Sequence, residues 1–255
     1  MILTSLRSRS RLLIQRGYKT ELNPNNKQTT LLLKNAGAAR FAYNWALNLK
    51  KMAFEAKTKI PNAIELHRSL NELKKTDFPW MYESSKCSPQ EALRNCDRAF
   101  DNFFRRCKQK TKIKGFPKFK SKKNGVGGFK LTGTIKVTSD HIQLPKLGKL
   151  KLKENDYLPL NAKILSACVS ERAGRWFVSL QVEEEINVID KTVAVVGVDL
   201  GIKTLAVCSD GKTFENPKAL RNNLGKLQRK SRQLSKKQKG SKNRKKAAKR
   251  LAKVH

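Results

Sequence analysis

Residues 193–211 read VAVVGVDLGIKTLAVCSDG, and this stretch indicates the class of the C-terminal part of the chain. The continuous apolar run 193–198 predicts a buried strand that ends at Asp199. A second short strand, Thr204 to Cys208, leads into the turn signal Ser209-Asp210-Gly211. A carboxylate after a buried strand is costly unless a metal, a cation or hydrogen bonds compensate it. Asp199 is therefore a candidate metal ligand, with a plain turn aspartate as the alternative, and Gly201 would let a backbone or a phosphate approach.

The segment that follows is strongly basic. Residues 218–255 contain 16 Lys and Arg and no acid, and leucines recur there at near-heptad spacing until Gly240-Ser241 interrupts them. This pattern predicts two basic helices that form a hairpin. Its candidate nucleic-acid contacts are Lys236, Lys237 and Arg244.

Upstream, the patterns predict an α+β, multidomain chain. One strand is expected at 16–23, helices between 27 and about 108, and several strands between 129 and 185. Ser88-Pro89-Gln90-Glu91 resembles a capping box that opens a helix, and residues 172–175 resemble a hairpin turn. An isolated first strand followed by helices and then strands suggests a small β-barrel with the helices inserted after its first strand.

The charge points to a polyanionic partner. The 255 residues include 56 Lys and Arg against 20 Asp and Glu, a formal net charge of +36, so nucleic acid is the expected partner. No acid lies between Asp101 and Asp140, and residues 105–123 hold ten basic residues, which favours a binding face over a merely solvated one. Phe116 and Phe119 could stack on bases or pack against the body, and packing is favoured for Phe116. The candidate contacts here are Arg40, Arg94, Arg98, Arg105, Arg106, Lys114, Phe116, Lys118, Phe119, Lys120, Lys122 and Lys123.

Other classes of protein fit the sequence poorly. No stretch approaches the ~18 consecutive apolar residues that a spanning helix needs, so no membrane partner is expected. Residues 1–13, Arg- and Ser-rich and free of acids, suggest a leader with some likeness to a mitochondrial presequence. The five cysteines are odd in number and form no C-x-x-C pair, which disfavours a disulfide framework and indicates a reducing, cytoplasmic location.

Several motifs in the same order resemble the TnpB (OrfB) family of RNA-guided nucleases that insertion sequences encode. They are GAARFAYNWAL (37–47), KGFPKFKSKK (114–123), LPKLGKLK (144–151), GRWFVSLQVE (174–183), GVDLGIKTLAVCSDGKTFENPKALR (197–221) and KKQKGSKNRKKAAKRLAKVH (236–255). The resemblance implies a wedge β-barrel at 14–185 with a helical recognition insert at about 26–128. It further implies that residues 186–255 begin a ribonuclease H-like RuvC domain. Guide RNA and DNA would be the partners, and Asp199 the first carboxylate of a site for two Mg²⁺ ions.

The same resemblance shows a departure from the family pattern. The family site also needs a Glu and a second Asp, with a four-cysteine zinc module between them. After Asp199 the only acids are Asp210 and Glu215, within 56 residues. We therefore expect an N-terminal portion of such an endonuclease, without the zinc module and inactive alone. The alternatives are a stand-alone nucleic-acid-binding or regulatory remnant and, much less favoured, an actin-like ATPase with D-x-G at its phosphate loop.

Overall fold

The computed structural model describes residues 11–160, 162–187 and 195–254, and the predicted α+β class is confirmed. The chain divides into two compact units. The first comprises Leu12–Ile186, and the second includes the described residues from Asn187 onward. None of the helices in the described ranges is long and apolar enough to cross a membrane.

Three long helices form the helical part of the first unit: α1 (Asn26–Glu55), α2 (Ala63–Thr76) and α3 (Cys87–Lys108). Asn25 starts α1 and Asn62 starts α2, each in a reciprocal capping box with the Gln28 or Glu65 side chain. Such a box satisfies two backbone N–H groups that a helix N-terminus leaves unpaired. These starts confirm the helical zone predicted from the sequence.

The capping role predicted for Ser88 is wrong. Helix α3 begins one residue earlier, at Cys87, and no side chain caps it. The Ser88 hydroxyl donates instead to Asn35 Oδ1 at 2.7 Å, and the Ser85 N–H donates to the same oxygen at 2.9 Å. A tertiary hydrogen bond to buried Asn35 on α1 has taken the place of the local one. The apolar residues that recur at helical spacing along α3 face the core, with Leu93, Cys96 and Phe100 buried.

A four-stranded sheet is built from β1 (Arg11–Leu22), β2 (Gly128–Leu131), β6 (Lys163–Arg172) and β7 (Arg175–Asn187), in the order β1-β7-β6-β2. The predicted hairpin turn is confirmed: Ala173 and Gly174 have φ of 56° and 81°, the left-handed values of a two-residue hairpin turn. The first three residues of β1, Arg11 to Leu13, fall within the expected leader, and residues 1–10 of that leader lie outside the described residues.

A meander of β3 (Lys136–Val137), β4 (His141–Leu144) and β5 (Gly148–Lys151) adjoins this sheet. It meets the end of β1 through an isolated bridge between Leu22 and Leu152. No strand ladder among the described residues closes the two sheets into a ring, so the expected small barrel is here a pair of open antiparallel sheets. One hydrophobic cluster joins both sheets to the three helices.

The second unit contains β8 (Val198–Leu200), β9 (Thr204–Cys208) and β10 (Thr213–Glu215), in the order β10-β9-β8, then α4 (Ala219–Ser235) and α5 (Lys242–Ala252). The predicted second strand and basic helical hairpin are confirmed. The prediction of a buried strand at 193–198 is wrong for the described residues of this range, since Val195 is 96% and Val198 58% exposed. Residues 193–194 lie outside the described residues. An apolar run is buried only where a second layer covers it, and in the described part of this unit only Ala206 is buried.

Candidate nucleic-acid interface

Three of the four arginines predicted on α3 share one helix face. Arg98 and Arg105 follow Arg94 by four and eleven residues, which places all three within about 40° around the helix axis. Each guanidinium donates to a side chain three residues earlier: to Glu91 at 2.7 Å, to Asn95 at 2.7 Å and to Asn102 at 2.9 Å. We call Arg94, Arg98 and Arg105 the arginine stripe; the exposed Asp101 lies on the same face.

Arg106 does not belong to this stripe. It lies about 100° further around the axis than Arg105. Its guanidinium contacts Gly115, where a Cβ would come within 3.0 Å of Nη1. The spacing of these arginines in the sequence was the signal that separates Arg106 from the stripe, once a helix is predicted for this segment.

The stripe continues onto the four-stranded sheet at Lys130. Glu91, a buried residue, accepts from Arg94 and lies 3.7 Å from Lys130 Nζ on β2. Partial desolvation raises the pKa of the exposed Cys168 thiol on β6, Lys130 and Arg98 oppose the rise, and Glu91 adds to it. Lys130 and the arginine stripe therefore belong to one continuous cationic surface, joined through Glu91.

The segment 114–123 presents its two phenylalanines differently. The Phe116 ring packs among Phe54, Phe100 and Phe103, with centroids 6.1, 5.6 and 5.1 Å away, as the packing interpretation of this residue expects. Phe119 is 53% exposed. The lysines of the segment are also exposed: Lys114, Lys118, Lys120, Lys122 and Lys123.

Asn44 of α1 holds this segment, and Arg40 of α1 holds the loop that follows it. The Asn44 amide donates to the Lys120 carbonyl at 2.9 Å, and its oxygen accepts from the Lys120 N–H at 2.8 Å. Arg40 Nη1 donates to the Val126 carbonyl at 2.9 Å. Arg40 and the lysines of the segment are thereby brought to one place.

The hairpin candidates divide between surface and structure. Lys236 and Lys237 are exposed at the end of α4. Arg244 on α5 donates to the carbonyls of Leu234 and Lys237 at 3.0 and 2.9 Å, where α4 ends. Arg244 therefore joins the two helices.

Asp199 lies on the exposed strand β8, opposite Val207 of β9. Gly201 is needed for the turn, since a Cβ there would come within 2.8 Å of the Thr204 carbonyl oxygen. Asp210 pairs with Lys212 at 3.0 Å, and the hydrogen bond from Lys212 lowers the pKa of Asp210. No group of three His, Cys, Asp or Glu side chains suited to a metal occurs within the described ranges.

A cavity of about 1070 Å³ was missed by the sequence reasoning. It lies between α2 and the β4–β5 connection, and lysines 74, 75, 86 and 146 are among its lining residues. Lys74 is only 6% exposed, donates to Asn71 Oδ1 at 3.1 Å, and has a pKa lowered by burial. Burial lowers the pKa of His67 on α2, and the charges of Lys74 and Arg94 lower it further. In the sequence, Lys74 looks like an ordinary basic residue in the last turn of a helix.

Comparison with known proteins places parts of the chain in a known family. Residues 177–255 match a family model described as "Probable transposase", that of OrfB in IS605-type elements. Residues 14–59 match the "Helix-turn-helix domain" model of the same family, and here they form β1 and the single helix α1. The chain is thus of the transposase-related class that insertion sequences carry.

Individual relatives are similar to this chain over most of its length. A Streptomyces pristinaespiralis protein named "Putative RNA-guided DNA endonuclease" is 33% identical over 246 residues, which are 95% of this chain and 60% of the relative. "Putative RNA-guided DNA endonuclease InsQ" of Escherichia coli K12 is 31% identical over 242 residues, 93% of this chain and 58% of the relative. "Putative transposase A625R" of Paramecium bursaria Chlorella virus 1 is 41% identical over 64 residues, 25% of this chain and 14% of the relative. The chain belongs to the TnpB (OrfB) family and spans about three fifths of the length of the two bacterial relatives.

Proposed function

We propose that this chain is the part of a TnpB-type RNA-guided DNA endonuclease that binds guide RNA and target DNA. The observation that carries the proposal is the arginine stripe, in which three guanidinium groups are held along one face of α3 and continue onto the sheet at Lys130. The stripe extends about 16 Å along the helix axis. Guanidinium groups on a rigid helix suit the phosphates of a nucleic-acid backbone.

Such contacts position a nucleic acid without reading its sequence. Sequence selection would then come from base pairing between the guide RNA and the target strand, as in other RNA-guided nucleases. In this proposal the first unit corresponds to the wedge with its helical insert, at 14–185 and about 26–128. Residues 186–255 correspond to the start of the RuvC domain.

Of the residues that would form the nuclease centre, the proposal assigns only Asp199. Two-metal cleavage needs two ions about 4 Å apart, held by several carboxylates. The described donors do not fit such a pair: Asp199 stands on an exposed strand, Asp210 is paired with Lys212, and these side chains form no metal-binding group. We therefore assign binding to the described residues and derive no cleavage step from them.

The test is which RNA the chain selects in a cell. The tagged chain is purified under RNase-free conditions from a host that carries the encoding insertion sequence, and the bound RNA is sequenced. The proposal predicts one discrete RNA enriched far beyond its share of total RNA. It also predicts loss of that RNA when Arg94, Arg98 and Arg105 are all changed to Ala.

The matched control removes the same charge elsewhere in the same unit. Lys51, Lys59 and Lys163 are exposed, and each is paired with a carboxylate. Their triple Ala variant should keep the enriched RNA. Recovery of cellular RNAs in proportion to their abundance would contradict the proposal.

A further inference from the structure

A second, smaller cavity lies beside the segment 114–123. Its volume is about 420 Å³, and helix α1, residues 118–121 and the loop Gly125–Gly128 form its walls. All of these belong to the first unit. The cavity brings together four of the residues singled out from the sequence: Arg40, Lys118, Phe119 and Lys120.

One wall is an aromatic ring held in place from both sides. Three residues before Phe119, the Phe116 ring is anchored in the aromatic cluster. One residue after it, the Lys120 backbone is held in both directions by Asn44. The 53% exposed Phe119 is therefore presented by a fixed backbone rather than by a free loop.

The same cavity is cationic. Arg40 is oriented by its hydrogen bond to Val126, and Lys120 Nζ lies 3.9 Å from the centroid of the Tyr43 ring. The Lys120 side chain is exposed, but partial desolvation lowers the pKa of its ammonium, and a bound anion would stabilise the charged form. No lining residue of this cavity carries a carboxylate.

We propose that this cavity holds one unpaired nucleotide of a bound strand, with its base against Phe119 and its phosphate near Arg40 and Lys118. The inference rests on the proposed function, since it assumes that the chain binds nucleic acid. An exposed aromatic ring beside cations is the arrangement that binds single strands, because every base has a face that can stack. The volume is at the low end of that of small-molecule pockets, which suits one nucleotide and excludes a base pair with both of its backbones.

The test compares single strands with duplexes of the same sequence, as RNA and as DNA, in binding to the full 255-residue chain. Phe119→Ala should weaken single-strand binding roughly 5- to 100-fold and leave duplex binding unchanged. Phe119→Tyr should retain the affinity. An oligonucleotide with abasic sites should bind the wild type about as weakly as the intact strand binds Phe119→Ala. A loss with RNA only, or with DNA only, assigns the strand that supplies the nucleotide.

Ile113→Ala is the matched control, because Ile113 is a 79% exposed apolar side chain of the same region outside the cavity lining. Equal single-strand affinities for Phe119→Ala and Ile113→Ala would overturn the inference. If the triple Ala variant of the arginine stripe still weakens binding in that case, the proposed function stands without this cavity. Failure of the wild type to bind any nucleic acid would overturn both.

Discussion

Glu91 shows how one buried carboxylate can organise a cationic surface. Its side chain is 4% exposed and lies between Arg94 of α3 and Lys130 of β2. The Arg94 side chain remains 57% exposed, so it is oriented without being withdrawn from solvent. An unpaired carboxylate at this depth would be costly, and the two cations offset that cost. The first arginine of the stripe is thereby fixed where the helix meets the sheet.

The buried thiol of Cys96 should resist chemical modification. It is completely buried, and burial raises the pKa of its thiol to about 11. Alkylating reagents attack the thiolate, so native protein at pH 8 should leave Cys96 unmodified while the partly exposed Cys107 reacts. Mass spectrometry after iodoacetamide treatment, with and without urea, measures both residues.

The same shift has a consequence for stability. A thiol whose pKa is raised in the folded state stabilises that state below its unfolded pKa of about 9, and this stability is lost as the pH rises toward 11. The Cys96→Ser variant should therefore lose less stability than the wild type between pH 9 and 11.

For the alkylation experiment, equal rates at Cys96 and Cys107 in native protein would contradict the raised pKa assigned to the Cys96 thiol.

At the scale of elements, one ion pair joins three helices. Lys50 on α1 lies 2.7 Å from Asp97 Oδ1 on α3 and donates to the Pro61 carbonyl at 2.6 Å. The other Asp97 oxygen accepts from the Ala63 N–H at 2.6 Å, at the first residue of α2. A carboxylate at a helix N-terminus is favoured by the helix dipole. Asp97 therefore sets where α2 starts relative to α1 and α3.

Asp97→Ala should destabilise the first unit by about 3 kcal/mol, because it leaves the Lys50 ammonium buried without its carboxylate. The double variant Lys50→Met, Asp97→Leu should cost clearly less than the sum of the single changes, since no charge is then left unpaired. Urea unfolding measures each free energy of unfolding.

The control for this cycle is the exposed pair Lys51–Glu55 on α1. Its removal should cost no more than about 0.5 kcal/mol. If Asp97→Ala lowers the free energy of unfolding no more than the removal of this exposed pair does, the Lys50–Asp97 ion pair does not join the helices as described.

These elements also show what the sequence could predict. The starts of α1 and α2 and the β6–β7 turn were predictable, because their signals lie within four residues of one another. Ser88 was misread because its partner Asn35 lies 53 residues away in the chain. The exposure of Val198 depends on tertiary packing, which a local pattern does not contain. The separation of Arg106 from the stripe, in contrast, follows from helical spacing and was predictable.

The whole molecule carries +36, and much of the described charge is concentrated rather than spread evenly. The arginine stripe, Lys130 and the lysine-lined cavity lie in the first unit, and the basic hairpin lies in the second. Like charges held this close repel one another, and a polyanion relieves the repulsion. The candidate site was predictable as a region of basic residues, whereas the stripe became visible only once the helix placed its members on one face.

The most direct test of the central claim is the salt dependence of binding to a structured RNA. The slope of log K against log salt counts the phosphate contacts, at roughly 0.7 to 0.9 for each contact. The wild type should give a steep slope, and changing Arg94, Arg98 and Arg105 to Ala should make it shallower by about two to three. The control variant at Lys51, Lys59 and Lys163 should keep the wild-type slope. Equal slopes for the wild type and the arginine-stripe variant would contradict the assignment of these arginines to nucleic-acid phosphates.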